Sequence, residues 1–378
     1  MKRYSEAVLN GHPDKFCDII ADRIIREAYK TDPEAYGQVE VSVWSDQLFL
    51  TGGIATSADF EPDIRDLIIK TGEEIGYLPE NHIDVRKYVI HDHICKINEP
   101  PTLWTAHVND QTVIHAYAAY DSKTNFLPPE HFAVMYLREQ LTNSLSHGIL
   151  KGHGPDGKLL LVINEIGSEW RTETLLLTLQ QKEDFDFSEF LYLCNEELRN
   201  AWNKLQNHDS RWITEWQDIK VLVNPNGALL NGGSDGDNGQ TGRKLVMDFY
   251  GPRVPLGGGA LYGKDLTHID RMASFAARRF AVDLCKKGGE EVFIRLCYAP
   301  GMHQPLDISI SASARPHTNP GNYFNFREMR QRMDINDINY NLAQLGAFYN
   351  KELSFNAENP ASQAHDKINL CKSEESVI

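Results

Sequence analysis

Residues 231–272 read NGGSDGDNGQTGRKLVMDFYGPRVPLGGGALYGKDLTHIDRM. Ten of the 27 glycines of the chain lie between Gly232 and Gly263, which is more than ordinary tight turns need. Glycine allows backbone N–H groups to approach an anion closely. Two of the glycine clusters end in cations, at Gly242-Arg243-Lys244 and at Gly263-Lys264. The pattern predicts a binding site for a chain of phosphates.

The segment is not a P-loop, although Gly258-x-x-x-x-Gly263-Lys264 matches most of that motif. A P-loop continues with Ser or Thr, whereas this chain continues with Asp265, and no obvious apolar strand precedes the segment. The alternative interpretation is a pair of tight glycine hairpins with solvated charges. The pairing of both clusters with cations favours the phosphate site.

Carboxylates accompany the cations, and a second dense motif lies near the N-terminus. The interleaved acids are Asp235, Asp237, Asp248, Asp265 and Asp270. The second motif is Gly11-His12-Pro13-Asp14-Lys15, at the entry to a predicted helix whose N-terminus would attract anions. Mg²⁺ prefers oxygen ligands and usually binds one or two carboxylates together with substrate phosphates. Asp14 and Asp270 both begin predicted helices, so they could share such an ion or simply cap those helices.

Helical and strand patterns alternate along the whole chain. Apolar spacing predicts helices over 16–30, 60–76 and 269–287. Strands are expected over 39–50 (two strands turning near Ser45-Asp46), 159–165, 219–223, 292–299 and 306–312. The mixed order indicates an α/β or α+β class with similar layers of sheet and helix.

Composition limits the partners and the compartment. The 378 residues suffice for two or three domains, and no run of 18 apolar residues or N-terminal apolar segment appears. A net charge of −15 argues against nucleic acid or an anionic membrane as a partner. The six cysteines are isolated from one another, which indicates a reducing, cytoplasmic protein. The polar tail after Phe355 is predicted to be loosely held.

Three segments closely resemble the signatures of S-adenosylmethionine synthetase: SEAVLNGHPDK from residue 5, GGSDGDNGQTGRKLVMDFYG from 232 and GGGALYGKDLTHIDR from 257. Weaker similarity extends over about residues 4 to 315. The resemblance implies three similar sheet-and-helix domains with pseudo-threefold symmetry, which we place at 1–100, 101–218 and 219–378. It also implies a homodimer or homotetramer with shared active sites. The implied reaction joins ATP and L-methionine, displaces triphosphate and hydrolyses it, with Mg²⁺ and K⁺ as cofactors.

Site residues follow from the matching positions. The resemblance implies that Asp14 and Asp270 bind Mg²⁺ and that Glu40 binds K⁺. It places Asp110 and His268 beside the amino-acid substrate. The implied ATP-binding residues are Asp156, Asp237 and Ala260, and the implied catalytic residues are His12, Lys15, Lys158, Arg243, Lys244 and Lys264.

The departures from the family pattern lie on the amino-acid side. Gly53 stands where the family has a methionine-binding glutamate, and Ile97 lies near the position of a glutamine. Leu229 replaces a phenylalanine, His268 replaces a lysine, and the family's mobile loop is shortened to NEPPTLWTAHV (98–108). These changes remove charged contacts, each worth roughly 1.5–3 kcal/mol, from the expected methionine site.

Three hypotheses follow from this contrast. Methionine is the expected acceptor, with Glu99 available to replace the lost carboxylate. A related adenosyltransferase acting on a different nucleophile is the first alternative. A non-catalytic, ATP-binding regulatory homologue is the second, although the complete set of phosphate-binding cations argues against it.

Overall fold

The computed structural model describes residues 1–313, 319–333 and 342–349. Within these residues the chain forms a mixed α/β fold with three sheets, which confirms the predicted class. In the described part of the chain, no helix is both long and apolar enough to span a bilayer. The prediction about the tail after Phe355 lies outside the described residues.

The strands and helices are as follows. The described strands are β1 (Lys2–Val8), β2 (Tyr36–Trp44), β3 (Gln47–Ala55), β4 (Val89–Ile97), β5 (Thr112–Ala119), β6 (Gly157–Ile166), β7 (Glu169–Leu179), β8 (Lys220–Val223), β9 (Gly239–Gln240), β10 (Glu291–Tyr298) and β11 (Asp307–Ala312). The described helices are α1 (Pro13–Thr31), α2 (Ile64–Ile75), α3 (Thr102–Thr105), α4 (Pro129–His147), α5 (Phe187–His208), α6 (Gly233–Gly236), α7 (Leu245–Asp248), α8 (Ile269–Lys286), α9 (Phe326–Arg332) and α10 (Leu342–Leu345).

Strands distant in sequence combine in each sheet. The orders are β1-β6-β7-β8, β4-β3-β2-β9 and β11-β10-β5. In the first sheet β1 pairs antiparallel with β6, and Lys2 lies opposite Asn164. The sheets therefore cross the boundaries at residues 100 and 218, and the division into three sequential domains stays a prediction.

At least one long helix packs on each sheet. Helix α1 packs against β2, α4 against β1, and α8 against β5 and β10. The second residue of each of these three helices is acidic: Asp14, Glu130 and Asp270. Three similar sheet-and-helix units are therefore present, and their pseudo-threefold symmetry stays a prediction.

Most of the predicted elements are confirmed, with small shifts at their ends. The turn at Ser45-Asp46 separates β2 from β3. Helix α2 begins four residues later than predicted because Asp63 accepts a hydrogen bond from the Asp66 N–H and caps it. It ends at Gly76 as predicted, where φ of +100° suits glycine.

Candidate active site

The start of α1 forms one half of the site. His12 caps the helix, and its Nδ1 accepts a hydrogen bond from the Asp14 N–H at 3.2 Å. Pro13 occupies the first helical position, where the absence of an N–H costs nothing. The Asp14 side chain is fully buried, and its Oδ1 accepts from the Gln240 N–H at 2.9 Å. A carboxylate is thus held at the positive end of the helix dipole.

Residues 239–248, here called the cation loop, supply the partners of Asp14. Lys244 Nζ lies 2.5 Å from Asp14 Oδ2, and Arg243 Nε lies 3.5 Å from Oδ1. The Arg243 side chain is 43% exposed, and its Nη1 donates to Asn238 Oδ1 at 2.9 Å. The structure therefore brings Asp14, Arg243 and Lys244 together as predicted, although they lie about 230 residues apart in sequence.

The start of α8 repeats this arrangement. His268 caps the helix, and its Nδ1 accepts from the Asp270 N–H at 3.3 Å. Asp270 Oδ2 pairs with Lys264 Nζ at 2.7 Å. A Cβ at Gly259 would lie 2.3 Å from the Asp270 carboxyl carbon, so only glycine allows this close approach. Each helix start therefore combines a capping histidine, a carboxylate two residues later and a lysine.

The two halves are joined through glycine contacts. A Cβ at Gly242, in the cation loop, would lie 3.0 Å from Ala260 Cβ. Ala260 follows Gly259, which in turn packs on the carboxylate of Asp270. The predicted ATP-binding residue Ala260 thus lies between the two carboxylate–lysine pairs.

The electrostatics of the two histidines favour their neutral forms. Burial, followed by the charges of Lys244 and Lys158, lowers the pKa of His12 to about 3. Burial and the charge of Lys264 also lower the pKa of His268. Because Nδ1 accepts the capping hydrogen bond, Nε2 of each neutral ring carries the proton. Within the described residues, the buried Nε2 of His12 has no partner and is available to an acceptor on a ligand.

A third group of predicted residues lies around the start of α6. Asp156 Oδ2 accepts from the Gly233 N–H at 2.8 Å, and burial raises the pKa of Asp156 to about 6. Lys158 is exposed and close enough for its charge to act on His12. Asp237 is exposed at the end of α6, where its Oδ1 accepts from the Asn238 N–H at 2.8 Å. These residues border the half-site at α1.

Two predicted residues lie near α8. Ligand atoms of Asp110, His268 and Asp270 all lie within 4.8 Å of one another, and Asp110 is exposed. Burial raises the pKa of Glu40 on β2, and the nearby charge of Lys264 opposes the shift. The structure therefore places Asp110 and Glu40 with the half-site at α8.

Lys15 occupies a different environment from the other predicted residues. Its side chain is fully buried, and Nζ donates to Asp18 at 3.0 Å and to Asp248 at 2.6 Å. The ring of Tyr262 lies 4.4 Å from the same nitrogen. These carboxylates outweigh the effect of burial and raise the pKa of Lys15. The placement suits a structural cation better than a group that contacts substrate.

Two of the departures from the family pattern, Gly53 and Ile97, lie together. A Cβ at Gly53 would lie 2.9 Å from Ile97 Cδ1, so the two replaced positions are in contact. The shortened loop contains α3, and Trp104 stacks on Tyr36 with ring centroids 5.1 Å apart. The charge of Asp110 acts on Tyr36, which places the stack near the same half-site. Leu229 instead lies beside Gln181, whose N–H donates to its carbonyl at 2.9 Å.

Metal ions fit the chemistry of the two carboxylates. Asp14 and Asp270 offer oxygen ligands beside lysines that would also bind phosphate, the combination that Mg²⁺ generally uses. The exposed carboxylate of Asp110 extends the donor set at α8. Each pair therefore suits a metal ion that is shared with a substrate phosphate.

Of the two acids that bind Lys15, Asp248 was predicted only as one of the carboxylates among the cations, and Asp18 was missed. The side chains of Asp18 and Asp248 are 0% and 1% exposed, and both accept hydrogen bonds from Lys15. One signal was available, because Asp14 and Asp18 are four residues apart and share a helix face. The Tyr36–Trp104 stack had no local signal.

Comparisons with known proteins identify the family. The N-terminal domain model of S-adenosylmethionine synthetase matches residues 2–98, and the C-terminal domain model matches residues 231–356. An S-adenosylmethionine synthase of Mycoplasma capricolum is 32% identical over 326 residues, which cover 81% of this chain and 79% of that protein. One from Mycobacterium sp. (strain KMS) is 30% identical over 342 residues, covering 84% and 83%.

A solved structure shows the same fold. It is described as an unusual S-adenosylmethionine synthetase from Campylobacter jejuni. The match has a TM-score of 0.81 with 20% sequence identity, and it covers 94% of this chain and 97% of that one.

Proposed function

Because the chain belongs to the S-adenosylmethionine synthetase family, we propose that it forms S-adenosyl-L-methionine from ATP and L-methionine and hydrolyses the displaced triphosphate. The observation that carries the proposal is the pair of carboxylate–lysine contacts, Asp14–Lys244 and Asp270–Lys264, at the starts of α1 and α8. The free cysteines among the described residues suit the cytoplasmic location that we also propose.

The chemistry requires stabilisation of a leaving group. When the methionine sulfur attacks C5′ of ATP, the C5′–O bond breaks and negative charge develops on the triphosphate oxygen. Arg243, Lys244 and Lys264, which lie beside Asp14 and Asp270, would bind that charge, and preorganised cations of this kind contribute strongly to catalysis. The thioether sulfur is a nucleophile without deprotonation, so no general base is needed.

His12 has a distinct role in this proposal. Its neutral ring is buried, and Nε2–H has no partner within the described residues. A neutral donor can form a hydrogen bond with a phosphate oxygen and needs no proton transfer at neutral pH. We assign this contact to the oxygen that leaves C5′.

The remaining ligands surround these groups. Asp14 and Asp270 would hold Mg²⁺, which neutralises phosphate charge when it is bound. Glu40 would hold K⁺ near Lys264. Asp156, Asp237 and Ala260 would contact the nucleoside part of ATP, with Lys158 near the phosphates. Asp110 and His268 would face the amino acid.

A second copy of the chain is proposed to complete the site. The outer face of the β4-β3-β2-β9 sheet carries exposed apolar side chains, with Trp44 57% and Phe49 43% exposed. Phe49 also stacks on His91 with ring centroids 4.4 Å apart. An exposed apolar sheet face favours association, and this face also carries Glu40, so a homodimer or homotetramer with shared sites fits.

The proposal is tested by identifying the products. The full chain is incubated with ATP, L-methionine, Mg²⁺ and K⁺, and the products are separated and weighed by mass spectrometry. We expect S-adenosylmethionine with phosphate and pyrophosphate in equal amounts, and no turnover once a chelator removes Mg²⁺. The absence of any adenosylated product at millimolar methionine would contradict the proposal.

A different acceptor is the second candidate, and the contact between Gly53 and Ile97 favours it. An apolar side chain covers the place of a predicted ammonium partner. Such an acceptor would be adenosylated by the same displacement. The test is a metabolite extract offered with ATP, in which a new adenosylated compound would form faster than S-adenosylmethionine.

His268 provides a direct measure of the acceptor side. His268→Lys is expected to lower the KM for methionine roughly tenfold to 100-fold, because a restored charge-assisted contact is worth about 1.5–3 kcal/mol. His268→Asn is the control, since asparagine can cap α8 but brings no cation. Steady-state kinetics with varied methionine decide the matter, and equal KM values for all three proteins would show that the position does not contact the amino acid.

A further inference from the structure

A buried cluster holds the cation loop against α1. Asp18 Oδ1 accepts from the Gly242 N–H at 2.8 Å, and Asp18 Oδ2 accepts from Lys15 Nζ at 3.0 Å. Lys15 Nζ also donates to Asp248 Oδ1 at 2.6 Å. Arg243 and Lys244 therefore lie between two anchor points, one at Gly242 and one at Asp248.

The spacing of the acids matches the loop. Four residues of α-helix advance about 6 Å, and two residues of extended chain span about 6.6 Å. Asp14 and Asp18 lie four residues apart on α1, and they accept from the N–H groups of Gln240 and Gly242, which are two residues apart. The helix thus binds alternate amides of the loop in register.

We propose that Asp18 is a positioning residue, which fixes the cation loop so that Arg243 and Lys244 reach the phosphates. The proposal rests on the function proposed above and adds Asp18, a residue that touches no substrate. Lys15 joins Asp18 to Asp248 and closes the cluster, so both ends of the cation loop are tied to α1. The role of Lys15 is then to hold the loop.

Substitutions separate the members of the cluster. Asp18 uses two oxygens for two donors, whereas asparagine has one, so Asp18→Asn must break one of the two hydrogen bonds. Asp248 uses only Oδ1, because its Oδ2 has no partner among the described residues. Asp248→Asn can therefore keep its oxygen on Lys15. We expect the larger effect from Asp18→Asn.

The experiment measures loop position and ligand binding separately. Hydrogen exchange of residues 239–248 is followed by mass spectrometry, and binding of Mg²⁺-tripolyphosphate by calorimetry. In Asp18→Asn we expect faster exchange of the loop and tripolyphosphate binding weakened about tenfold, the loss of one charge-assisted contact. Turnover should fall by roughly 100-fold, as for a catalytic group displaced by about 1 Å.

Asp209→Asn is the matched control, since Asp209 is also buried and pairs with Arg211 at the end of α5, outside the site. It should leave both the loop and tripolyphosphate binding unchanged. Wild-type exchange of the loop, or wild-type affinity for tripolyphosphate, in Asp18→Asn would overturn the positioning role. A wild-type protein that binds tripolyphosphate but forms no adenosylated product would instead overturn the proposed function and leave the positioning role standing.

Discussion

Lys244→Met is expected to lower turnover by about 10²–10³-fold, the loss typical when one preorganised group that stabilises transition-state charge is removed. Lys244 Nζ lies 2.5 Å from Asp14, at the half-site where we place the leaving triphosphate. Its loss removes a cation from the phosphates and leaves Arg243, at 3.5 Å, as the cationic side chain beside the buried carboxylate of Asp14 in the described part of the chain. Binding of ATP should weaken as well, because the contact also exists in the ground state.

Product formation and tripolyphosphate hydrolysis are the measurements, each followed at saturating substrate. Lys70→Met is the control, since Lys70 is exposed on α2 and pairs with Asp66 at 2.7 Å. Lys244→Arg keeps the charge but changes its geometry, and it should recover part of the lost rate. A Lys244→Met enzyme within a few-fold of wild type would remove Lys244 from the mechanism and weaken the assignment of the whole half-site.

Local signals in the sequence predicted the ends of the site helices well. Helices commonly begin with proline at the first position and an acidic residue in the first turn, and α1 has Pro13 and Asp14 at these places. Helix α5 carried an equally clear signal, Asp186 three residues before Glu189, whose N–H it caps at 2.8 Å. That helix was predictable and was missed.

Other elements left no local signal to find. Helix α4 buries Glu130, His131, Phe132 and Ala133 in succession, so it shows no apolar stripe of helical period. Strand β1 pairs with β6, at least 150 residues away, and no local pattern indicates such a pairing. The structure places β1 at the edge of its sheet, paired with β6, the strand that carries Lys158.

The candidate site likewise combines features that local motifs predict with contacts that only the fold creates. Motifs predicted which residue types matter, but the contact between Asp14 and Lys244 depends on two segments that the fold brings together. Within one motif, Asp14 and Lys15 are neighbours in sequence and point about 100° apart around the helix. Adjacent residues of GHPDK therefore serve different environments, and the sequence alone does not separate them.

Lys15→Met tests whether Lys15 is a structural cation or contacts substrate, because the two interpretations predict opposite results. The ammonium group of Lys15 is buried between Asp18 and Asp248, and its removal leaves two carboxylates without their cation. Removing one partner of a buried ion pair typically costs about 3–5 kcal/mol of unfolding free energy. We expect a large fall in the midpoint of thermal unfolding, measured by circular dichroism and by tryptophan fluorescence.

The triple variant Lys15→Met, Asp18→Asn, Asp248→Asn identifies the cause of the lost stability. If the cost arises from unpaired buried carboxylates, neutralising both of them should recover a substantial part of the stability. Activity should stay low, because the anchor at Asp248 depends on the Lys15 ammonium, even though the one oxygen of an asparagine at position 18 is enough for the Gly242 N–H. If Lys15 instead contacts substrate, Lys15→Met will unfold at the wild-type midpoint while turnover is lost. The stability of the single variant therefore decides whether this lysine of the GHPDK motif acts on the phosphates or on the loop that binds them.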